Sequence, residues 1–486
     1  MKENKIALVI CPCWGIYCPP LGIAVLSSAL KQKGFSTRCF DLNIEAFDSL
    51  RRQGFFASRF KIDIKKHGIR ESFILKTTAA RYWDFKNYSC WQNDDFYDSR
   101  LSSSINDYLK SRVKDILEYG ADIIGFSVFA SNVRASLFLA SEIKKAAPEK
   151  KIVFGGPECS AGKNVNFRYF KKTDIDAVVI GEGEKTIIEL AEAYFKKGIL
   201  EGIAGTALKT GDEFIEFLPR PLIKDLDELP FPEYGDFDLK KYYKPALPIS
   251  ISRGCVAKCS FCEETLFWNK YRFRKAENVF AEIQNGVSKY GVKEFLTHDS
   301  LVNGNMEELL KLVDLILKKG LNIKWGGYAR VSQSMNPETL GKLKAAGCAF
   351  LSYGIESGSQ KVLDNMKKGF TIDVAEKNLK DTCRAGILTQ VNWMVGFPTE
   401  TFFDFLKSLK FIFKNRRFID NLLIGPRACV VVPAADLGVN PEKYGISAGY
   451  FLGSWRTADF RNTIIHRYVR LKITLLAAFL LRIKSL

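Results

Sequence analysis

Alternating strand-length and helix-length apolar patterns, repeated in two separate blocks, predict an α/β protein. Three observations carry that prediction. Short continuous apolar runs are each followed by an amphipathic stretch with apolar residues three or four positions apart. Glycines gather just after several of those runs. A proline-rich stretch separates the first block from the second. The first block predicts a doubly wound sheet, the second a partial barrel, and the tail a small helical region.

The first strand is 5–11 (KIALVIC), and 21–33 reads as a helix stopped by Gly34. Residues 36–42 (STRCFDL) form the second strand. From about 44 to 104 the rhythm breaks, and Tyr82, Trp83, Phe85, Tyr88, Trp91, Phe96 and Tyr97 crowd together. This insertion either packs on its own domain or walls a substrate cavity. The alternation resumes with a helix at 105–119, a strand at 121–127 (ADIIGFS), a helix at 133–147 and a strand at 151–154. That last strand runs into Gly155 and Gly156. The strand 175–180 ends at Gly181-Glu182-Gly183, and a helix follows to Lys197. Strands joined by helices imply parallel pairing with both faces covered, and ligands bind beyond the strands' carboxyl ends. The first domain is therefore 1–204.

Residues 205–246, with Pro219, Pro221, Pro230, Pro232 and Pro245, read as an extended linker with short strands. The second block opens with a strand at 247–253. Further strands are expected at 294–298, 323–326, 350–355, 389–395 and 421–425, with helices at 277–290, 306–319, 337–346, 371–385 and 401–415. Six βα units suit a partial (β/α)6 TIM barrel over 247–430, with its site at the strands' carboxyl ends. The C-terminal region, 431–486, carries Arg456, Arg461, Arg467, Arg470, Lys472, Arg482 and Lys484. Its apolar run 473–481 is too short to span a bilayer. It reads as a basic helix that either docks on the protein or lies on a membrane surface.

The 486 residues are 47% apolar and 26% charged, a globular composition. Lys+Arg 72 against Asp+Glu 54 gives +18, which favours acidic partners without choosing among them. No secretion signal opens the sequence, so the 12 cysteines read as reduced thiols or metal ligands in a cytoplasmic protein.

The sharpest signal is Arg253-Gly-Cys255-Val-Ala-Lys-Cys259-Ser-Phe-Cys262, directly after an expected strand. Thiolates are the usual protein ligands of iron–sulfur clusters, and three of them leave one iron of a four-iron cluster open. This triplet resembles the radical S-adenosylmethionine (SAM) superfamily. Gly354-Ile-Glu-Ser-Gly358 and Val395-Gly-Phe-Pro-Thr-Glu400 resemble that family's segments after the fourth and fifth barrel strands.

The resemblance implies a [4Fe-4S] cluster on Cys255, Cys259 and Cys262, with SAM on the open iron. One electron would cleave SAM to methionine and a 5′-deoxyadenosyl radical, which takes hydrogen from unactivated carbon. The resemblance also places Phe261 near adenine and Asp299 at the methionine amino group. Arg330 and Glu356 become candidates for ribose or carboxylate contacts.

The first domain resembles the Rossmann-like cobalamin-binding domain that precedes the barrel in one radical SAM subfamily. The segments Cys18-Pro-Pro-Leu-Gly22, Gly125-Phe-Ser127, Gly155-Gly-Pro157 and Gly181-Glu-Gly-Glu184 carry it. Ser127, Gly155, Gly156, Gly181, Glu182 and Gly183 become candidate cobalamin contacts. The D-x-H-x-x-G motif that gives cobalt a histidine is missing, and the histidines are His67, His298 and His466. Cobalamin would therefore lack that ligand. Cys11, Cys13 and Cys18 leave a second metal site open.

Together these resemblances imply a cobalamin-dependent methyltransferase. A non-methylating radical rearrangement, cyclisation or oxidation is the alternative, and a non-catalytic cobalamin- or redox-responsive module the more distant one. Expected partners are a small-molecule, lipid or peptide substrate and an electron donor such as a flavodoxin, ferredoxin or reductase. Peripheral contact with the inner membrane surface through the C-terminal helix is a further expectation. The charge keeps RNA open, but nucleic acid is not the expected partner.

Overall fold

The computed structural model describes residues 3–60, 79–80, 82–83, 99–160, 174–211, 213–425, 428–447 and 453–485. Two compact units emerge. One is Met1–Lys224 with Glu228–Pro248, and the other is Asp225–Asp227 with Ile249–Leu486.

In the first unit, β1 (Lys5–Ile10) pairs in parallel with β2 (Ser36–Asp41) and β3 (Ile123–Ser127). Next come β4 (Lys151–Gly155) and β5 (Ala177–Val179), also parallel. The helices α1 (Leu21–Gln32), α2 (Leu42–Arg52), α3 (Ser99–Glu118), α4 (Val133–Ala146) and α5 (Gly183–Lys197) belong to this unit. Ile6 through Ile10 are buried because both sheet faces are covered. Each such Ile, Leu or Val contributes roughly 1.5–3 kcal/mol.

The order β2-β1-β3-β4-β5 reverses direction between β1 and β3. In open α/β sheets that switch point opens the ligand crevice.

The expected linker is more structured than its prolines suggest. The strands β6 (Thr206–Thr210) and β7 (Glu213–Glu216) form an antiparallel hairpin on the β5 edge. Arg220 donates to both Glu189 carboxylate oxygens on α5, and the Tyr234 hydroxyl donates to the Pro248 carbonyl at 3.1 Å. The first compact unit therefore continues past 204, because this segment supplies strands and side-chain anchors to it.

Part of the aromatic insertion is packing. Trp83 is fully buried against Phe47 and Phe56, and its indole N–H donates to Asn43 Oδ1 at 3.0 Å. Phe85, Tyr88, Trp91, Phe96, Tyr97 and His67 lie outside the described residues.

The chain enters the second unit through β8 (Ala246–Ile249) and the short pair β9 (Ser252–Arg253) and β10 (Arg272–Phe273). The strands β11 (Glu294–Thr297), β12 (Lys324–Ala329), β13 (Cys348–Glu356), β14 (Leu388–Trp393) and β15 (Asn421–Ile424) then follow one another in parallel. Between them run α6 (Ala276–Tyr290), α7 (Met306–Lys318), α8 (Pro337–Ala345), α9 (Gln360–Asn365), α10 (Ile372–Arg384) and α11 (Phe402–Asn415). The strands stand side by side in sequence order, the succession expected of a partial βα barrel.

Side chains mark the helix starts. Asn305, Asn336 and Thr371 each accept from a backbone N–H of the first turn, and Pro337 follows its cap directly.

The tail is α12 (Ile464–Leu480), which Arg467 and Arg470 anchor inward. The sequence reading missed a last edge strand, β16 (Lys484–Ser485), parallel to β15. Residues 429–455 add Cys429, Val431, Leu437, Tyr444 and Trp455 to an apolar cluster with Val362, Met366 and Phe397.

Candidate cofactor sites

Gly254 opens the cysteine loop with φ +84, and a Cβ there would meet the Lys270 carbonyl oxygen at 2.9 Å. Only glycine fits that turn. Cys255, Cys259 and Cys262 are free and half-exposed, whereas Cys11, Cys13, Cys18, Cys39, Cys159, Cys348 and Cys429 are buried.

Burial pushes the Cys262 thiol up to about 12 and raises Cys255 as well. The Ala257 N–H, 3.4 Å from Cys255 Sγ, and the charges of Arg330 and Lys368 oppose the rise at Cys255. A bound metal cation reverses this balance and holds such thiols as thiolates.

Among the described residues, no three His, Cys, Asp or Glu side chains close on one point as ligands of a single ion do. A four-iron cluster makes a different demand, since each thiolate takes its own iron. Three free thiols on one loop, within electrostatic range of one another, fit that donor set.

Three of the SAM candidates gather around a lysine that the sequence reading did not single out. Lys368 is 8% exposed. Its ammonium lies 3.6 Å from the Glu356 carboxylate and 5.6 Å from the centre of the Phe261 ring. Arg330 donates to the Lys368 carbonyl at 2.7 Å. Phe261 packs on the apolar cluster. Glu356 ends β13 at φ 72, a left-handed conformation that costs an ordinary residue about 1–3 kcal/mol and recurs at functional sites. Its carboxyl is raised by burial and drawn back by Lys368. The available signal was the pair Lys367-Lys368 just after the short helix Gln360–Asn365, since a buried lysine needs a partner.

Asp299 stands apart from this group. Its carboxylate accepts from the backbone N–H of Ile251 at 3.1 Å, from that of Ser252, and from Ser252 Oγ at 2.8 Å. Burial pushes it up to about 6 against those bonds. The expected contact with a methionine amino group meets a carboxylate already committed to fixing the strand that leads into the cysteine loop.

The cobalamin candidates lie at the carboxyl ends of β3, β4 and β5. Ser127 ends β3 and Gly155 ends β4. Gly156 has φ +108, and a Cβ there would lie 2.7 Å from the Val128 carbonyl oxygen. The Gly181 N–H donates to Ser160 Oγ at 2.8 Å, and Gly183 starts α5. The Glu182 carboxylate accepts from the buried Ile223 N–H at 2.7 Å and so anchors the chain.

Asn132 and Trp14 were also missed. Asn132 Oδ1 accepts from Phe129 N–H at 2.8 Å and its amide donates to the Ser127 carbonyl at 3.1 Å, which sets the loop after β3. Trp14, in the loop after β1, lies 5.9 Å from Phe129 between ring centres. Burial pushes Cys11 and Cys18 up to about 12, which suits packed neutral thiols.

Comparison with known proteins agrees with this layout. The radical SAM superfamily model matches residues 249–412, and the B12 binding domain model matches residues 95–191. An uncharacterized methyltransferase, PH0819, of Pyrococcus horikoshii is 31% identical over 302 residues, 61% of this chain and 65% of the relative. The anaerobic magnesium-protoporphyrin IX monomethyl ester cyclase of Cereibacter sphaeroides is 28% identical over 63% of this chain and 52% of its own length. The chain thus spans less than two thirds of either relative. The radical SAM methyltransferase TsrM of Kitasatospora setae, solved with cobalamin and a [4Fe-4S] cluster, shares the fold. Its TM-score is 0.65 at 18% identity, over 96% of this chain and 81% of that one. This chain therefore carries a B12-binding domain followed by a radical SAM domain.

Proposed function

We propose that this chain is a cobalamin-dependent radical SAM enzyme that transfers a methyl group to an unactivated carbon. The carrying observation is the free, half-exposed triad Cys255, Cys259 and Cys262 beside the Lys368 cluster. The three thiols would hold a [4Fe-4S] cluster, and the glycine loops after β3, β4 and β5 would admit cobalamin.

When bound, cluster and SAM supply a 5′-deoxyadenosyl radical and cobalamin supplies a methyl carrier. The chain's task is orientation. Phe261 offers a ring face to adenine. Lys368 and Arg330 place positive charge where a carboxylate can lie, and Glu356 can accept from ribose hydroxyls. Asp299 holds Ile251 and Ser252, and so fixes the start of the cysteine loop. A flavodoxin, ferredoxin or reductase would deliver the electron, and the substrate is a small molecule, lipid or peptide.

The cyclase among the relatives favours one second reading, a radical cyclisation or oxidation without methyl transfer. Reconstituted protein given cobalamin, reductant and SAM labelled in its methyl group separates the two. Methyl transfer predicts label on protein-bound cobalamin, while cyclisation predicts none. Lys368→Met should retain iron and sulfide yet weaken SAM binding by about tenfold, as loss of one charged hydrogen bond costs about 1.5–3 kcal/mol. Unchanged SAM binding would remove Lys368 from the site.

A further inference from the structure

The C-terminal helix is inside out. Its buried face holds Arg467, Arg470, Leu471, Thr474 and Ala478. Arg467 stacks 3.8 Å above the Trp455 ring and donates to the Gly453 and Trp455 carbonyls, each at 2.8 Å. Arg470 donates to the Glu400 carboxylate at 3.0 Å, and the Gly396 N–H reaches the same oxygen at 2.9 Å. Two of the helix's charged residues thus point inward: Arg470 is paired with Glu400, and Arg467 is held by Trp455 and two carbonyls although its Nη1 has no hydrogen-bond partner among the described residues.

Its apolar side chains point outward. Ile465 is 70% exposed, Leu476 57%, Phe479 76% and Leu480 69%, and Tyr468 and Ile473 join them. At 3.6 residues per turn these six fall in one arc of roughly 140°. Lys472 is the charged residue within that arc, and exposed Arg461, Lys484 and Arg482 stand near its two ends. From 460 to 485 there is no Asp or Glu. On the adjoining helix α11, Phe402 and Phe403 are also exposed, with Lys407 and Lys410 among them.

We propose that α12 is an interfacial helix that seats this chain on an anionic bilayer surface. Among the described residues no helix is long and apolar enough to cross a membrane, so α12 would lie in the interface plane. Phe479 and Leu480 enter the acyl boundary, Tyr468 sits at headgroup depth, and Lys472 snorkels to phosphate. The basic ends meet anionic headgroups. A second copy fits the charge less well. A two-fold contact would bring the Lys472 faces together with no acid on either helix to answer them. The inference does not depend on the proposed chemistry.

The test is co-sedimentation of the full chain with phosphatidylglycerol–phosphatidylcholine vesicles and with phosphatidylcholine alone. The wild type should bind the anionic vesicles more tightly, and added salt should weaken that binding. Leu476→Ser/Phe479→Ser should lower the partition coefficient by about tenfold or more, since two anchors leave the acyl layer. Lys472→Glu should also weaken binding. Both variants should keep the wild-type unfolding midpoint, because the changed side chains face outward. No binding by the wild type, or equal binding by the serine variant, would overturn the proposal. So would a concentration-dependent dimer in sedimentation velocity that the serine pair abolishes, since the face would then belong to a second copy.

Discussion

Asp41 does two things with one carboxylate. It caps α2 by accepting from the Ile44 N–H at 2.9 Å, and it accepts from the Tyr242 hydroxyl at 2.5 Å. Burial pushes its pKa from 3.8 to about 6. The folded chain therefore holds this proton more tightly than the unfolded chain. The resulting stabilisation is complete below about pH 4 and is lost as pH rises through about 6. Asp41→Asn keeps a good cap and has no proton to lose. Its stability relative to wild type should improve by up to about 3 kcal/mol between pH 4 and pH 7, measured by urea unfolding. Parallel pH profiles for the two proteins would contradict this account of Asp41.

The same scale shows what one-dimensional reading misses. The cysteine triplet is local and was legible as spacing. The role of Asp299 depends on Ile251 and Ser252, nearly fifty positions away in sequence. Lys368 becomes notable only once folding brings Glu356, Phe261 and Arg330 around it.

At the scale of elements, α11 illustrates how local chemistry fixes a boundary. Thr401 and Asp404 form a reciprocal capping box: the Asp404 N–H donates to Thr401 Oγ1 at 3.2 Å and the Thr401 N–H donates to Asp404 Oδ2 at 3.1 Å. Thr401→Ala removes one half and should cost about 1–2 kcal/mol in unfolding free energy, read by urea titration. A cost near zero would mean that the packing of α11, not its cap, sets where it starts. Helices and parallel strands were legible because their periodicity is set by burial. Short strands were expected within 205–246, but the antiparallel pairing of β6 and β7 on the β5 edge was not legible, since a short strand's own residues do not name its partner. The tail's basic helix was visible in sequence, but which face turns inward was not. Arg467 and Arg470 look like surface charges until Trp455 and Glu400 are placed against them.

At the scale of the whole molecule, two α/β units each place their loops at the carboxyl ends of parallel strands. One loop set carries glycines and the other carries thiols. Domain order and fold class were legible from strand–helix alternation. The extent of the first unit was not, because residues 206–216 join its sheet edge through pairings that proline content does not forecast.

The central claim is that Cys255, Cys259 and Cys262 together hold the cluster that makes SAM reactive. The measurement is 5′-deoxyadenosine produced by anaerobically reconstituted protein with cobalamin, SAM and a strong reductant, alongside iron and sulfide content. Wild type should hold about four irons and four sulfides and form 5′-deoxyadenosine, and each cysteine-to-alanine variant should lose that product. A variant that keeps full 5′-deoxyadenosine formation without one of the three thiols, or a wild-type protein that takes up no cluster, would contradict the account.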